Sequence, residues 1–189
     1  APIVAHFIIT RFNFVRNKLA PIIATIFCPL VLITLVAFLV SIPLGEKDLY
    51  HDRDFLLIFN IMLIGVMGII VFSISETSIY KRQRFNEISL FILAIVALVV
   101  DVLALSAILY RLGEYGFTPN RTSVLVSNIL IFGNLVWIAL DLFKVIRRKA
   151  DIKQVEYTIA RYLPIYALWT IIVVFGFPFI FGMEGTPLY

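Results

Sequence analysis

Five stretches of about twenty residues with almost no charged side chain decide which solvent this chain can fold in. A helix of about 20 apolar residues crosses the roughly 30 Å hydrocarbon core of a bilayer. Transmembrane strands are shorter, alternate in polarity and need a closed barrel. The pattern therefore predicts an all-α polytopic membrane protein, with residues 1–189 forming a single bundle. The five predicted transmembrane helices are 19–44, 55–75, 88–110, 122–146 and 162–183.

Composition supports the same class. Of the 189 residues, 61% are hydrophobic and 15% are charged, whereas a soluble domain has about 45–50% apolar residues. The net charge is +4, but the basic residues lie between apolar runs, without the exposed aromatic residues of a nucleic-acid surface. We therefore expect membrane lipids as partners and no nucleic acid. The single cysteine and two distant histidines predict no disulfide, metal or cofactor site.

Residues 1–18 precede the first span and have their own pattern. His6, Thr10, Asn13 and Asn17 recur at spacings of four, three and four, so a helix would place them on one face. A short amphipathic helix in the membrane interface and the end of a preceding span both fit this pattern. The chain does not begin with methionine, and we expect it to be a fragment of a longer protein.

The basic residues between the spans predict an orientation. The N-terminal segment and the second and fourth loops carry three, three and six of the sixteen lysines and arginines; the remaining loops carry two each. Positively charged loops stay in the cytoplasm. We therefore predict a multi-pass protein of the bacterial plasma membrane (inner membrane), with a cytoplasmic N-terminal side and an external C-terminus. The connector 147–161 is predicted to touch anionic headgroups or a protein partner.

Asp101 is the most informative single residue, because it lies in the middle of the third span. An ionised carboxylate there costs several kcal/mol or more unless it is paired, hydrated or neutral. It marks either an ion or proton path or a hydrogen-bonded structural acid. Asp101 and Asn134 lie at similar distances from Gly116, so an antiparallel hairpin would bring them to the same depth. We predict a hydrogen bond between them, direct or through water, with Gly133 allowing close approach of the helices.

Other polar residues within the spans have simpler interpretations. Asn128 joins Asp101 and Asn134 as a predicted intramembrane polar residue. Asp141 is expected to pair with Lys144, three residues further along the same helix. In the second span, three residues indicate a tight packing seam between helices: Asn60, Gly65 and Gly68.

The predicted external loop between the third and fourth spans is unusually polar. It is either a well-ordered turn or an outward cradle for a headgroup, an anion or a peptide, in which Arg111 or Arg121 pairs with Glu114. Thr118-Pro-Asn-Arg is predicted to start the fourth helix. The candidate site residues of this loop are Tyr110, Arg111, Glu114, Tyr115, Asn120 and Arg121.

This loop also resembles a family of bacterial membrane proteins, domain of unknown function 4153. The resemblance rests on a tyrosine–arginine pair that ends one span, a Glu-Tyr-Gly-x-Thr segment and an arginine that opens the next span. It implies a larger multi-span protein in which this loop is a functional centre. The residues that carry it are Tyr110, Arg111, Glu114, Tyr115, Gly116, Thr118 and Arg121.

No nucleophile elbow, phosphate-binding glycine loop, zinc-protease helix or pair of catalytic carboxylates occurs in the chain. We therefore favour a non-enzymatic transport-related or partner-binding module, with Asp101 and Asn134 as its buried polar centre. One alternative is a membrane enzyme acting on a lipid-linked or envelope substrate, with Glu114, Arg111 and Arg121 at the outer interface. The other is a structural subunit that binds further membrane subunits or the rest of a longer chain.

Overall fold

The computed structural model describes residues 25–42, 53–79 and 84–182, and within these residues it is helical apart from short turns, without strands. Five segments are long and apolar enough to cross a membrane, which confirms the predicted all-α class and the number of spans. The predicted interfacial helix over 1–18 lies outside the described residues. The helices are α1 (Thr25–Ile42), α2 (Arg53–Ile79), α3 (Arg84–Tyr115), α4 (Pro119–Ile146), α5 (Ile152–Ile171), a π-helical turn (Ile172–Gly176) and α6 (Phe177–Ile180).

The centre of the bundle is the antiparallel hairpin of α3 and α4, against which α2 and α5 pack. Small side chains explain how closely the helices approach α3. Ala94, Ala97, Ala104 and Ala107 are fully buried and follow one another at helical spacing. Small residues let helix backbones pack tightly in a membrane, where apolar burial alone gives no driving force for association. Asp101 occupies the middle of this alanine stripe.

A tight turn closes the hairpin, as the sequence predicts. Gly116 ends α3 with a φ of 73°, a left-handed conformation that glycine adopts without steric cost. Thr118 is the N-cap of α4, and its Oγ1 accepts a hydrogen bond from the backbone N–H of Arg121 at 3.3 Å. Pro119 occupies the first helical position, where no intrahelical N–H is needed. The two helices therefore start and stop within three residues of each other.

The fifth helix starts ten residues earlier than predicted. It begins at Ile152, so the expected connector 147–161 is only a short turn at 147–151, followed by helix. Ile152, Val155 and Ile159 are buried, and the charged residues between them face outward. Hydropathy averaged along the chain does not detect this amphipathic turn, because its polar residues outnumber the apolar ones.

The end of the fifth span and the glycines of the second span depart from regular helix packing. The five-residue π-helical turn ends two residues before Pro178, and the Phe177 N–H donates to the Ile172 carbonyl oxygen. Proline lacks the N–H of an α-helical hydrogen bond, so a wider turn accommodates it. The predicted packing seam at Gly65 and Gly68 is wrong, because a Cβ at either position would meet no atom within 4 Å.

Asn60, the third member of the predicted seam, does connect helices. Its Oδ1 accepts a hydrogen bond of 2.9 Å from Asn128 Nδ2, which links α2 to α4. Interhelical hydrogen bonds in membrane proteins contribute about 0.6 kcal/mol on average and up to about 1.7 kcal/mol. The pair therefore fixes the register of the two helices more than it stabilises the bundle.

A double-mutant cycle tests this link. Asn60→Ala and Asn128→Ala should each lower the free energy of unfolding, and the double variant should lose about 0.5–1.5 kcal/mol less than the sum of the two. The measurement is reversible unfolding in mixed micelles. Strictly additive losses would contradict a direct contact between the two amides.

Candidate functional site

Helix α4 presents three buried polar residues to the interior of the bundle. Asn128, Asn134 and Asp141 are each less than a tenth exposed, and they are spaced six and seven residues apart. At about 1.5 Å per residue they lie roughly 9 and 10 Å apart along the helix axis. Each is bonded to a different set of neighbours, so α4 carries a ladder of polar contacts through the apolar bundle.

The middle of the bundle contains the least satisfied group. Asp101 is 0% exposed, and no group in the described part of the chain donates a hydrogen bond to either of its carboxylate oxygens. Its carboxyl lies within electrostatic range of the Tyr166 hydroxyl on α5. A buried carboxylate without donors has lost its hydration without compensation.

The predicted direct hydrogen bond between Asp101 and Asn134 is not formed. Asn134 Nδ2 donates instead to Tyr166 Oη at 3.1 Å, and Tyr166 Oη in turn donates weakly to the Leu130 carbonyl oxygen at 3.4 Å. The depth argument considered only α3 and α4, whereas the tyrosine that captures the amide belongs to α5. The water-mediated version stays a prediction.

Counting donors and acceptors shows what this centre lacks. Asn134 Oδ1 is buried without a partner, as are Oδ1 and Oδ2 of Asp101. Among the nearby donors, the Tyr166 hydroxyl and one of the two N–H groups of Asn134 Nδ2 are already used, and the second N–H of the amide donates to none of these acceptors. Three buried acceptor atoms therefore have no donor among the described residues, in a region where each unsatisfied polar group is expensive.

An aromatic wall closes the centre on the α5 side. The rings of Tyr162 and Tyr166 lie 5.7 Å apart, and Trp137 packs edge-on against Tyr162 at 5.8 Å. Gly133 makes room for this wall, because a Cβ there would lie 2.6 Å from the Tyr162 hydroxyl oxygen. The glycine therefore admits a side chain of α5 rather than the close approach of α3 that the sequence suggested.

Asp141 forms the C-terminal end of the ladder on α4, and both of its carboxylate oxygens are hydrogen-bonded. Its Oδ1 pairs with Lys144 Nζ at 2.6 Å, which confirms the predicted ion pair. Its Oδ2 accepts from Thr158 Oγ1 at 2.7 Å, and Oδ1 also accepts from Gln154 Nε2 at 3.3 Å. Asp141 therefore ties α4 to the amphipathic first turns of α5, and it is a structural acid.

The turn between α3 and α4 is a capped connection between the two helices. Arg121 Nη1 donates to the carbonyl oxygens of Tyr115 and Gly116 at 2.8 and 3.0 Å, which are orphan acceptors at the end of α3. Its guanidinium also lies 5.3 Å from the centre of the Tyr115 ring. The expected pairing of an arginine with Glu114 is not formed among the described residues: Glu114 is exposed, and Arg121 binds the carbonyl groups at the helix end instead.

Beside this turn, a cavity of about 530 Å³ opens between α2, α3 and α4. Both predicted loop arginines, Arg111 and Arg121, line it together with Asn120, whereas exposed Tyr110 and Glu114 do not. Thr118 and Asn60 are its other polar residues, and the rest of its lining is aliphatic. Arg111 Nη1 is buried without a hydrogen-bond acceptor.

Sequence analysis missed the contribution of α5. Thr158, Tyr162 and Tyr166 follow one another at four-residue spacing, so they lie on one helical face, and all three contact the polar residues or the glycine of α4. Trp169 extends the face, since its Nε1 donates to Ser127 Oγ at 2.9 Å. The four-residue spacing of these polar side chains is visible in the sequence, and it is the signal that could have identified this face.

The described residues contain no group of three or more histidine, cysteine or acidic side chains that would hold a metal ion. No protein-family model matches the chain, and no curated protein or solved structure is significantly similar to it. The resemblance of the α3–α4 turn to domain of unknown function 4153 therefore stays a prediction. Inferences about function rest on geometry alone.

Replacing Thr158 by valine tests the role of Asp141 as a tie between helices. Thr158→Val removes one donor to a buried carboxylate and should lower the free energy of unfolding by about 1–2 kcal/mol. Thermal unfolding in uncharged micelles measures it. The matched control is Thr170→Val, because the exposed Thr170 hydroxyl donates only to a carbonyl of its own helix; equal losses in both variants would contradict the interpretation.

Proposed function

We propose that this protein is a non-enzymatic, transport-related module of the bacterial plasma membrane whose central group, Asp101, binds and releases a proton. The observation that carries the proposal is the surplus of three buried acceptor atoms on Asp101 and Asn134. One proton on Asp101 turns an acceptor into a donor and removes the buried charge at the same time. A proton is therefore the smallest ligand that satisfies the centre.

The surroundings of Asp101 support a proton more than a larger ligand. The neighbouring positions on α3 are the fully buried alanines of the stripe, and the α5 side is closed by the tyrosine wall. Carboxyl groups inside membrane spans commonly serve proton relays in pumps and transporters. The Tyr166 hydroxyl, hydrogen-bonded to Asn134, is a second group that can pass a proton.

The alternatives receive less support from the geometry. An enzyme acting at the outer interface with Glu114 as its acid needs that carboxyl near the arginines, but Glu114 is exposed and does not line their cavity. A purely structural subunit explains the satisfied Asp141, but it leaves the unsatisfied Asp101 without a purpose. Partner subunits or a longer chain remain compatible with the transport proposal.

Infrared spectroscopy tests proton binding directly. The wild-type protein in micelles should show a protonated-carboxyl stretch that is lost in Asp101→Asn, changes in intensity with the pH of the medium and shifts in heavy water. The amide of Asp101→Asn supplies a donor at the same place, so the fold should be retained. Asp141→Asn is the control and should leave this band unchanged.

The outcome separates the functional and structural interpretations. A band that responds to the medium means that Asp101 exchanges its proton with water. A band that is unaffected by pH and heavy water would make Asp101 a permanently protonated packing residue, and it would refute the proposal in favour of the structural subunit.

The proposed orientation places the N-terminal side in the cytoplasm and the α3–α4 turn outside, because basic residues concentrate at the opposite end of the helices. Phe117 in that turn is 75% exposed, and Lys149 lies exposed in the turn between α4 and α5. The two positions therefore report on opposite faces of the membrane.

Labelling of intact cells with a membrane-impermeant maleimide tests this orientation. Phe117→Cys should be labelled, and Lys149→Cys should be labelled only after the membrane is permeabilised. The native Cys28 is completely buried and should stay unlabelled in both cases, so the wild-type protein is the background control. The opposite labelling pattern would invert the proposed topology.

A further inference from the structure

The cavity between α2, α3 and α4 has a polar rim and an aliphatic floor. Arg111, Arg121, Thr118 and Asn120 lie near the α3–α4 turn, and Asn60 lies about one helical turn deeper than the first lining residue of α2, Leu57. The floor is made of isoleucine and valine side chains. This gradient from polar to apolar runs from the end of the bundle towards its middle.

The charged side chains that line the cavity are all positive. Two guanidinium groups line it, and none of its described lining residues is acidic. Arginine does not lose its proton in proteins, so the buried Arg111 Nη1, which has no acceptor, stays a charged donor. An anion that enters the cavity would both accept a hydrogen bond from this donor and balance its charge.

Arg121 is held in a fixed position next to this unpaired donor. Its Nη1 is bound to the carbonyl oxygens of Tyr115 and Gly116, which orients the whole planar guanidinium. A guanidinium has five N–H donors, so the group retains donors for a ligand. Thr118 and Asn120 add neutral polar groups on the same rim, and such a cluster matches the several acceptor oxygens of a phosphate.

The aliphatic lining of the cavity and its position at the lipid-facing side of α2 indicate a lipid phosphate as the ligand. Ile61 and Ile64 of α2 line the cavity and are each more than 60% exposed on the outside of the bundle. In a membrane those faces contact acyl chains, so the cavity is continuous with the lipid phase. A free phosphate would use the rim alone, whereas a phospholipid would place its headgroup at the rim and its glycerol and first methylenes on the floor.

We propose that this cavity is a binding site for the phosphate headgroup of an anionic membrane lipid, with Arg111 as the main anion-binding residue and Arg121, Thr118 and Asn120 as its rim. The site is separate from Asp101, because Arg111 lies ten residues and so about 15 Å further along α3. If the lipid site is disproved, the proton-binding proposal is unaffected, and if proton binding is disproved, the lipid-site proposal is unaffected.

Ligand-dependent thermal stability of the full chain in uncharged maltoside micelles tests the site. A ligand that binds only the folded protein raises its unfolding temperature according to ligand concentration. Phosphatidic acid should stabilise the wild-type protein. Diacylglycerol, which has the same chains without phosphate, should not. Arg111→Gln should need about tenfold more phosphatidic acid for the same effect, as expected for the loss of a charge-assisted hydrogen bond.

Two further variants separate charge from shape. Arg161→Gln removes one exposed positive charge on α5, outside the cavity lining, and should respond to phosphatidic acid like the wild type. Val124→Phe fills the floor without changing the charge, so it should weaken the effect of phosphatidic acid. Inorganic phosphate is tested in parallel with the lipid. If it stabilises the wild type as much as phosphatidic acid does, and Val124→Phe has no effect, the ligand is a free anion. The assignment to a lipid is then wrong.

A carboxylate of the chain itself is the competing anion, because residues 43–56 carry Glu46, Asp48, Asp52 and Asp54. Their replacement by the corresponding amides provides the comparison. If the wild type ignores phosphatidic acid while the amide variant binds it through Arg111, an internal carboxylate occupies the site and the proposal is overturned. Equal responses of Arg111→Gln and Arg161→Gln would overturn it too, by reducing the effect to overall charge.

Discussion

Hydrocarbon offers no hydrogen bonds, and this constraint determines how the bundle is organised. Every polar side chain within a span has to find its partner on another helix or on its own backbone. Helix α4 meets the constraint at three depths, through Asn60 on α2, Tyr166 on α5, and Thr158 with Gln154 on α5. These bonds fix the rotation and depth of the neighbouring helices, which purely apolar faces would leave undetermined, because lipid tails are as apolar as leucine.

The stripe of alanines on α3 complements this ladder. It allows α3 to pack against its neighbours with little side-chain volume between them, and Asp101 interrupts it at the middle of the span. The acid is therefore enclosed by helices that are held close for other reasons. Because Tyr166 binds Asn134 and Tyr162 occupies the space above Gly133, neither tyrosine donates to Asp101, whose oxygens have no donor among the described residues.

Hydropathy predicted the five spans, the Gly116 and Thr118-Pro-Asn-Arg residues predicted the α3–α4 turn, and a three-residue spacing predicted the Asp141–Lys144 pair. All three signals depend on residues close in sequence. The partner of Asn134 could not be predicted in this way. Its choice between Asp101 and Tyr166 depends on how α5 rotates against α4, and that rotation is set by contacts between residues more than thirty positions apart. The early start of α5 was missed because its polar first turns lower the hydropathy, and their contact with Asp141 joins residues of two different helices.

Asp101 and Arg111 are unsatisfied in opposite senses, and their chemistry limits what can complete each. The carboxyl lacks donors and is closed in by alanines and tyrosines, so it can be satisfied by a proton, which needs no space. Nη1 of the guanidinium lacks an acceptor and the group does not release its own proton, so it needs an acceptor from outside, and an anion, which also balances the charge, needs volume. The cavity of about 530 Å³ lies beside Arg111, where that volume is required. The space beside each group therefore matches the partner that it lacks, since side chains close around Asp101 and a cavity lies beside Arg111. Close packing alone does not explain why these two polar groups are unsatisfied.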